Sequence, residues 1–342
     1  MNILVTGNLG YIGSVLTDIL EDKGYEVTGY DTGYFKDCEL YPSKSLEKQF
    51  IKDIRNIKKA DLKDINAIIH LAGLSNDPLG DFRPEVTEKI NLIATIKLAK
   101  LAKETGVSRF VYASSQSMYG LSDKMQELDE DNSQKKPVTS YAKTKWESEI
   151  EIKKLNCSNF IVSCFRPSTV FGLSPRLRCD IVFNNFVACA FTTGKIEILS
   201  DGSPWRPAVH INDVCQAFLS GIEAPGKIIG GKAFNVGLPD GNFTVKKLAE
   251  TAKKLVPECE LVYLNKHTDP RTYRVSFDRI LNDLKDYYKP QWSLERGAKQ
   301  LVDFFKRVNF KESDFRGQKY TRISQIKHLI ENKIISEDLI QI

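Results

Sequence analysis

The sequence predicts an α/β fold, a doubly wound parallel sheet followed by a smaller C-terminal α/β lobe. Three observations carry this expectation. Short, almost uninterrupted apolar runs alternate with helical patterns through the first two-thirds of the chain, the first run ends in a turn of evenly spaced glycines, and the rhythm changes after about Pro167. Strands that are apolar along their whole length are covered on both faces, as in a parallel sheet between two layers of helices. At 342 residues the chain suits two domains or one enlarged domain.

The elements follow in order. Strands are expected at 3–6, 26–30, 49–52, 67–72, 109–114 and 159–166, where β-branched and aliphatic residues cluster. A helix should begin near Tyr11, and the clearest helical pattern is 84–105, where Val86, Ile90, Ile93, Leu98 and Leu101 recur at helical spacing. Gly106 supplies its stop. The polar stretch 123–137 reads as an exposed loop before a helix that starts at Ser140. Beyond it, helices at 181–193, 212–224, 244–256 and 294–308 alternate with loops, and the tail from Lys311 holds one amphipathic pattern at 323–330. The expected division is 1–170 for a first domain, 171–310 for a smaller lobe with elements that can return to the first sheet, and 311–342 for a helical tail.

Composition narrows the class. Hydrophobic residues at 42% and charged residues at 27% describe an ordinary globular chain, and a net charge of +5 is too small to argue for nucleic-acid binding. The seven cysteines include no C-x-x-C pair and several lie in apolar runs, so they read as reduced, buried thiols rather than disulfides or a metal site. The chain opens on a strand and no apolar run reaches the ~18 residues of a membrane span, so a cytoplasmic location without membrane contact is expected.

The first strand runs into Gly7-Asn-Leu-Gly10-Tyr-Ile-Gly13, so that Asn8, Leu9, Tyr11 and Ile12 lie between the glycines. Glycine there lets the backbone approach a pyrophosphate and lets the next helix pack close to the strand, with its free amides toward the phosphates. The spacing G-x-x-G-x-x-G matches the general dinucleotide fingerprint G-x-G-x-x-G only in part, but its place between the first strand and the first helix predicts the start of a Rossmann-type fold. Asp31 follows at the end of the second strand, 18 residues after Gly13. A carboxylate there accepts from the adenosine ribose hydroxyls and repels a 2′-phosphate, which favours NAD. Tyr141 and Lys145 stand four apart on one face of a helix, and a neighbouring ammonium favours a tyrosine phenolate that can serve as a base. Ser115, in Ser114-Ser-Gln-Ser117, follows the strand at 109–114, at the carboxyl end where ligands of open α/β sheets bind.

These residues together resemble the extended short-chain dehydrogenase/reductases, in particular the NAD-dependent epimerase/dehydratase group, from residue 1 to about 308. The resemblance implies cofactor contacts at Asp53 and Ile54 beside the adenine, at Leu71, Ala72 and Gly73 in His70-Leu-Ala-Gly, and at Ser114, Arg166 and Pro167. It implies Asn91 as a helix asparagine behind the active site, Tyr141 as acid/base, Lys145 as the group that lowers its pKa and holds the nicotinamide ribose, and Ser115 as the group that polarises the reacting oxygen, with Asn91, Tyr141 and Lys145 counted among the cofactor contacts. Ser117 and Thr169 fall on the substrate side, and Asn185 and Arg206 match positions on the substrate diphosphate. Arg271 and Arg274 are further phosphate candidates, with Arg176 and Arg178 behind them.

Departures from the group's patterns indicate the reaction. The 4,6-dehydratases carry an acidic pair where this chain has Gln116 and Ser117, and relatives that epimerise at two carbons carry a cysteine at the Ser117 position. The remaining Ser–Tyr–Lys set resembles that of nucleotide-sugar 4-epimerases, and it also serves a net 4-dehydrogenase or 4-ketoreductase, for example on a GDP-heptose. A Rossmann protein that senses NAD without catalysis is the alternative from another class. Polysaccharide-precursor synthesis and a homodimer built from the helices at 84–105 and 140–154 are further implications of the resemblance.

Overall fold

The computed structural model describes residues 1–120, 126–266 and 272–342. Strands β1 (Asn2–Thr6), β2 (Glu26–Asp31), β3 (Lys48–Ile51), β4 (Ala67–His70) and β5 (Arg109–Ala113) come first. A two-residue β6 (Glu127–Leu128) precedes β7 (Ile161–Pro167), β8 (Thr169–Phe171), β9 (Lys195–Ile198) and β10 (Trp205–His210). β11 (Ala233–Val236), β12 (Asn242–Thr244), β13 (Glu260–Tyr263) and β14 (Arg274–Val275) complete the strands among the described residues. Seven of them form one sheet in the order β11-β7-β5-β4-β1-β2-β3, with every neighbouring pair parallel.

The chain winds outward from β1 to β3 and then crosses back to β4, so the strand order reverses between β1 and β4. A crevice opens there at the carboxyl ends of the strands. Pleating divides the sheet's side chains between two cores. Ile3, Val5, Ile69 and Val111 face one, shared with Phe218 and Leu301, while Leu4, Ile68, Phe110 and Tyr112 face the other, shared with Leu98 and Ile326. The apolar runs in the sequence are these doubly covered strands.

Two elements differ from the periodicity. The pattern at 84–105 is not one regular helix: it runs as Pro84–Thr87, a π turn over Glu88–Ile93, and Ala94–Glu104. The wide turn contains Asn91, whose amide bonds both backbone groups of Leu74, from Leu74 N at 2.8 Å and to Leu74 O at 3.1 Å. The first helix is Gly13–Asp22, two residues later than the pattern suggests, because the backbone from Gly7 to Ile12 is spent on the turn. β11, from within 171–310, joins the main sheet beside β7. The remaining strands make small sheets, β12-β10-β8, β13-β9 and β14-β6.

The helix Leu294–Val308 is capped by Ser293, which accepts from Arg296 N, and ends where Asn309 turns left-handed at φ 51°. The tail helix Arg322–Glu331 buries Ile326 and Leu329 in the same core as Tyr34 and Ile54, so the tail docks beside β2. All seven cysteines are free thiols. No described helix is long and apolar enough to cross a membrane, and no group of metal-binding side chains occurs among the described residues.

Candidate active site

A cleft of about 670 Å³ lies over the carboxyl ends of the strands. It begins at the glycine turn. Gly7 has φ +75°, and a Cβ there would lie 2.8 Å from Ala72 N; a Cβ on Gly13 would lie 2.2 Å from Gly7 O. Neither position admits a side chain without moving backbone. The helix that follows has no side-chain cap and no acid in its first turn, which leaves its positive end to a ligand. Asn8 and Leu9 serve the turn rather than the cleft surface: Asn8 Nδ2 donates to Gln49 Oε1 at 2.6 Å and Leu9 N to Asp31 Oδ2 at 3.2 Å.

Asp31 closes β2 and lines the cleft. Its Oδ1 accepts from Gly33 N at 2.7 Å. Burial pushes the carboxyl above its ordinary value, while those backbone bonds and the charges of Arg176 and Arg322 pull it back. Asp53 and Ile54 also face the cleft, and Asp53 is forked by Arg55, which in turn donates to Leu339 O at 2.7 Å.

The wall formed by Leu71, Ala72 and Gly73 is held by a chain of hydrogen bonds. Ala72 N donates to Thr6 Oγ1 (3.2 Å), which meets His70 Nδ1 (2.6 Å); His70 Nε2 meets Thr95 Oγ1 (2.8 Å), which donates to Asn91 O (2.7 Å). Thr95 has committed its proton to the carbonyl, so its oxygen accepts from Nε2–H and Thr6 donates to Nδ1. His70 is therefore the neutral Nε2–H tautomer. Burial, aided by Lys145, pushes its pKa down to about 3.

Tyr141, Lys145, Ser115, Ser117 and Ser114 line the same cleft. The helix Ser140–Lys153 starts at Thr139, whose Oγ1 accepts from Ala142 N at 3.2 Å and donates to Asp77 Oδ1 at 2.6 Å. Lys145 is 5% exposed. Its Nζ donates to Ala113 O at 2.7 Å and sits 4.7 Å from the Tyr112 ring centre, and burial pushes it down to about 7. Burial raises the Tyr141 phenol, and a hydrogen bond with Ser115 works in the other direction. Ser115 Oγ accepts from Ser117 N at 3.1 Å and Ser117 Oγ at 2.9 Å, which leaves its own proton for Tyr141 or a substrate oxygen. Gln116 is immobilised: Nε2 donates to Arg166 O at 3.0 Å and Oε1 accepts from Ser168 Oγ at 3.2 Å.

The other predicted positions divide. Pro167, Thr169 and Arg206 line the cleft with Gly10, Tyr11 and Ile12. Asn91 stands behind it, bonded to Leu74. Four others are not cleft-lining. Arg166 is 1% exposed and forked onto the 0%-exposed Glu149, which also accepts from Ser114 Oγ at 2.7 Å. Arg176 pairs with Glu39, Asn185 donates to Cys179 O at 3.1 Å, and Arg274 pairs with Glu127 over the Trp205 ring. In each case a nearer acceptor holds the side chain elsewhere. Arg271 lies outside the described residues.

Residues 3–237 match the model of the NAD dependent epimerase/dehydratase family, well over half of the chain. The chain belongs to the NAD-dependent epimerase/dehydratase family. Among curated relatives, it is 26% identical to a UDP-glucuronate 4-epimerase of Thermodesulfobacterium geofontis, covering 89% of this chain and 95% of that one. It is 29% identical to a UDP-glucose 4-epimerase of Mycolicibacterium smegmatis, covering 90% and 99%. Among solved structures, the UDP-glucose 4-epimerase of Thermotoga maritima shares the fold with a TM-score of 0.78 at 23% identity, over 90% of this chain and 100% of that one.

The epimerase/dehydratase family uses NAD, and the residues present fit that cofactor. The Gly7 and Gly13 backbone approaches and the uncapped helix end suit the diphosphate, and Asp31 suits an unphosphorylated ribose. The cleft of this family member also contains residues that the sequence reading passes over or ranks low. Asn76 caps the helix Asp77–Phe82 by accepting from Leu79 N at 2.9 Å, and Asn76-Asp-Pro is a helix-start signal visible in the sequence. Arg178, ranked with Arg176 in the sequence, reaches the cleft: it forks onto Asp180 at 2.8 and 3.0 Å and donates to Ser75 Oγ at 3.1 Å. Arg322 lines the cleft from the tail, and no local sequence pattern signals that.

Proposed function

We propose that this family member is an NAD-dependent nucleotide-sugar epimerase that acts at carbon 4 of the sugar. The observation that carries the reading is the convergence of Ser115, Tyr141 and Lys145 in the cleft that also holds the glycine turn and Asp31. Ser115 donates to the reacting oxygen, and Tyr141 Oη takes the hydroxyl proton and later returns it. Lys145 favours the ionised phenol through its charge. NAD, when bound, supplies hydride acceptance and return at the sugar carbon. Dehydration needs an acid at the Gln116 position, and an amide already bonded to backbone and hydroxyl has neither the proton nor the freedom for it. Thr169 and Arg206 are assigned to the sugar-nucleotide side, with Arg206 toward the diphosphate, and Pro167 to the cofactor side. The names of the relatives, two of them 4-epimerases, support carbon 4.

The division into cofactor and substrate parts is read as 1–170 and 171–310, with β11 contributed back to the first sheet. The protein is further read as a cytoplasmic homodimer in glycan-precursor synthesis. Ile93 is 54% exposed and Ile150 37% exposed on two helices that pack together, an apolar face suited to a second copy. A monomeric mass by analytical ultracentrifugation would remove the dimer.

The reaction is tested by following reduced-nicotinamide absorbance of purified, NAD-loaded protein while UDP-glucose and UDP-glucuronate are supplied, with product analysis. Conversion to the 4-epimer with only a transient rise supports the reading. Lasting accumulation of NADH would make the enzyme a net dehydrogenase, and steady consumption of supplied NADH a ketoreductase. Failure of the protein to bind any dinucleotide would remove both the epimerase and its redox alternatives.

A further inference from the structure

We propose that Arg322, from the C-terminal segment, is a ligand for the diphosphate of the dinucleotide cofactor. This rests on reading the cleft as the NAD site. Thr321, Arg322 and Ile323 line the same cleft as Gly7, Gly10 and Asp31. Arg322 is 2% exposed. Its Nη2 donates to Arg176 O at 2.7 Å, its backbone N to Asp180 Oδ2 at 3.3 Å, and its guanidinium stands 4.4 Å from the Phe35 ring centre. Its Nη1 is buried and has no hydrogen-bond partner among the described residues.

Each of the nearby carboxylates is engaged by another group. Glu39 is paired with Arg176, and Asp180 is forked by Arg178. Asp31 accepts from Leu9 N and Gly33 N. No described salt bridge reaches the Arg322 guanidinium, so a buried cation with an unused donor stands in the wall of the cleft. A buried donor without an acceptor is costly, and a buried charge without a counter-charge more so. An anionic oxygen against this wall would answer the charge, and a small turn of the guanidinium would bring Nη1 to it.

The geometry selects the cofactor's diphosphate over other anions. Arg322 packs on Phe35, just beyond β2, and its charge acts on Asp31, so it stands at the adenosine half of the cleft. Arg206 and Thr169 come instead from the small β12-β10-β8 sheet. A 2′-phosphate is disfavoured there by the Asp31 carboxylate itself. The diphosphate is the anionic part of NAD, and guanidinium donors match its oxygens.

The test uses full-length protein freed of cofactor, with NAD, ADP and adenosine as calorimetric probes. Arg322→Gln should weaken NAD and ADP by about ten- to a hundredfold, from the size of a charge-assisted hydrogen bond, and leave adenosine unchanged. Arg322→Lys, which keeps a charge, should lose less, and it carries the test alone if the glutamine variant does not fold. The proposal is overturned if NAD and ADP bind both folded variants as they bind the parent. It is equally overturned if adenosine loses as much as ADP, or if only the affinity for a UDP-sugar falls. A parent protein that binds no NAD would instead overturn the reading of the cleft.

Discussion

Replacing Lys145 by Met should make the cofactor-free protein more stable in mild acid and less stable in alkali, while abolishing turnover. The ammonium is 5% exposed and burial lowers it from 10.5 to about 7. The folded state therefore releases this proton near pH 7 and the unfolded chain near 10.5. Between those values the unfolded state binds more protons, so the parent gains stability as pH rises through the window and is penalised in full below it. At ~1.4 kcal/mol per unit the penalty approaches roughly 5 kcal/mol. Methionine removes it, but also removes the 2.7 Å bond to Ala113 O and the contact with the Tyr112 ring. Those interactions are worth about 2–4 kcal/mol together. The variant should thus lead by about 1–3 kcal/mol near pH 6, a rise of ~1–4 °C in Tm for a chain of this length. Near pH 10 the order should reverse. Scanning calorimetry of both proteins across this range measures the difference directly. A variant less stable near pH 6 by the same amount as near pH 10 would refute the claim that the buried ammonium is disfavoured.

Other expectations follow from the same geometry. Tyr141→Phe should lower kcat by about 10²–10⁴ while leaving NAD affinity in calorimetry unchanged, because it removes a transferable proton and little else. Arg166→Met strands Glu149, which is fully buried, and should cost about 3–5 kcal/mol in urea denaturation, with most of it recovered when Glu149→Gln is added. Gly7→Ala combines φ +75° with a backbone contact at 2.8 Å, so it should lower stability by about 1–3 kcal/mol and weaken NAD binding, read by melting and titration.

The fold was legible because its signals are local or periodic. Doubly covered strands must be apolar along their length, and a glycine turn between strand and helix has little other use. The Tyr141–Lys145 pair needs only one turn of helix. What the sequence did not carry is long-range competition for polar side chains. Arg166 lies near the end of β7 in the expected place, but Glu149, 17 residues earlier, claims its guanidinium. Arg176 and Arg178 look alike in sequence, and only the positions of Glu39 and Asp180 send them different ways. Val86, Ile90 and Leu98 stay buried before, within and after the π turn at Asn91, so periodicity reads through it, although Ile93 of the same pattern is exposed. Arg322 is 291 residues from Asp31, a separation no window can bridge.

The placement of the tail bears on how the protein is made. β1 to β5 and their helices can associate once the first stretch of chain has left the ribosome, but β7, β11 and then the wall around Arg322 arrive later. At ~5–20 residues per second, the roughly 200 residues between Ala113 and Arg322 take on the order of 10–40 s to synthesise. During that interval Tyr34, Ile54 and Leu79 lack Ile326, Leu329 and Leu339, which cover them in the finished core. The nascent chain therefore presents an apolar, half-built nucleotide site, a surface suited to chaperones, and acquires the complete cleft only when translation reaches the tail.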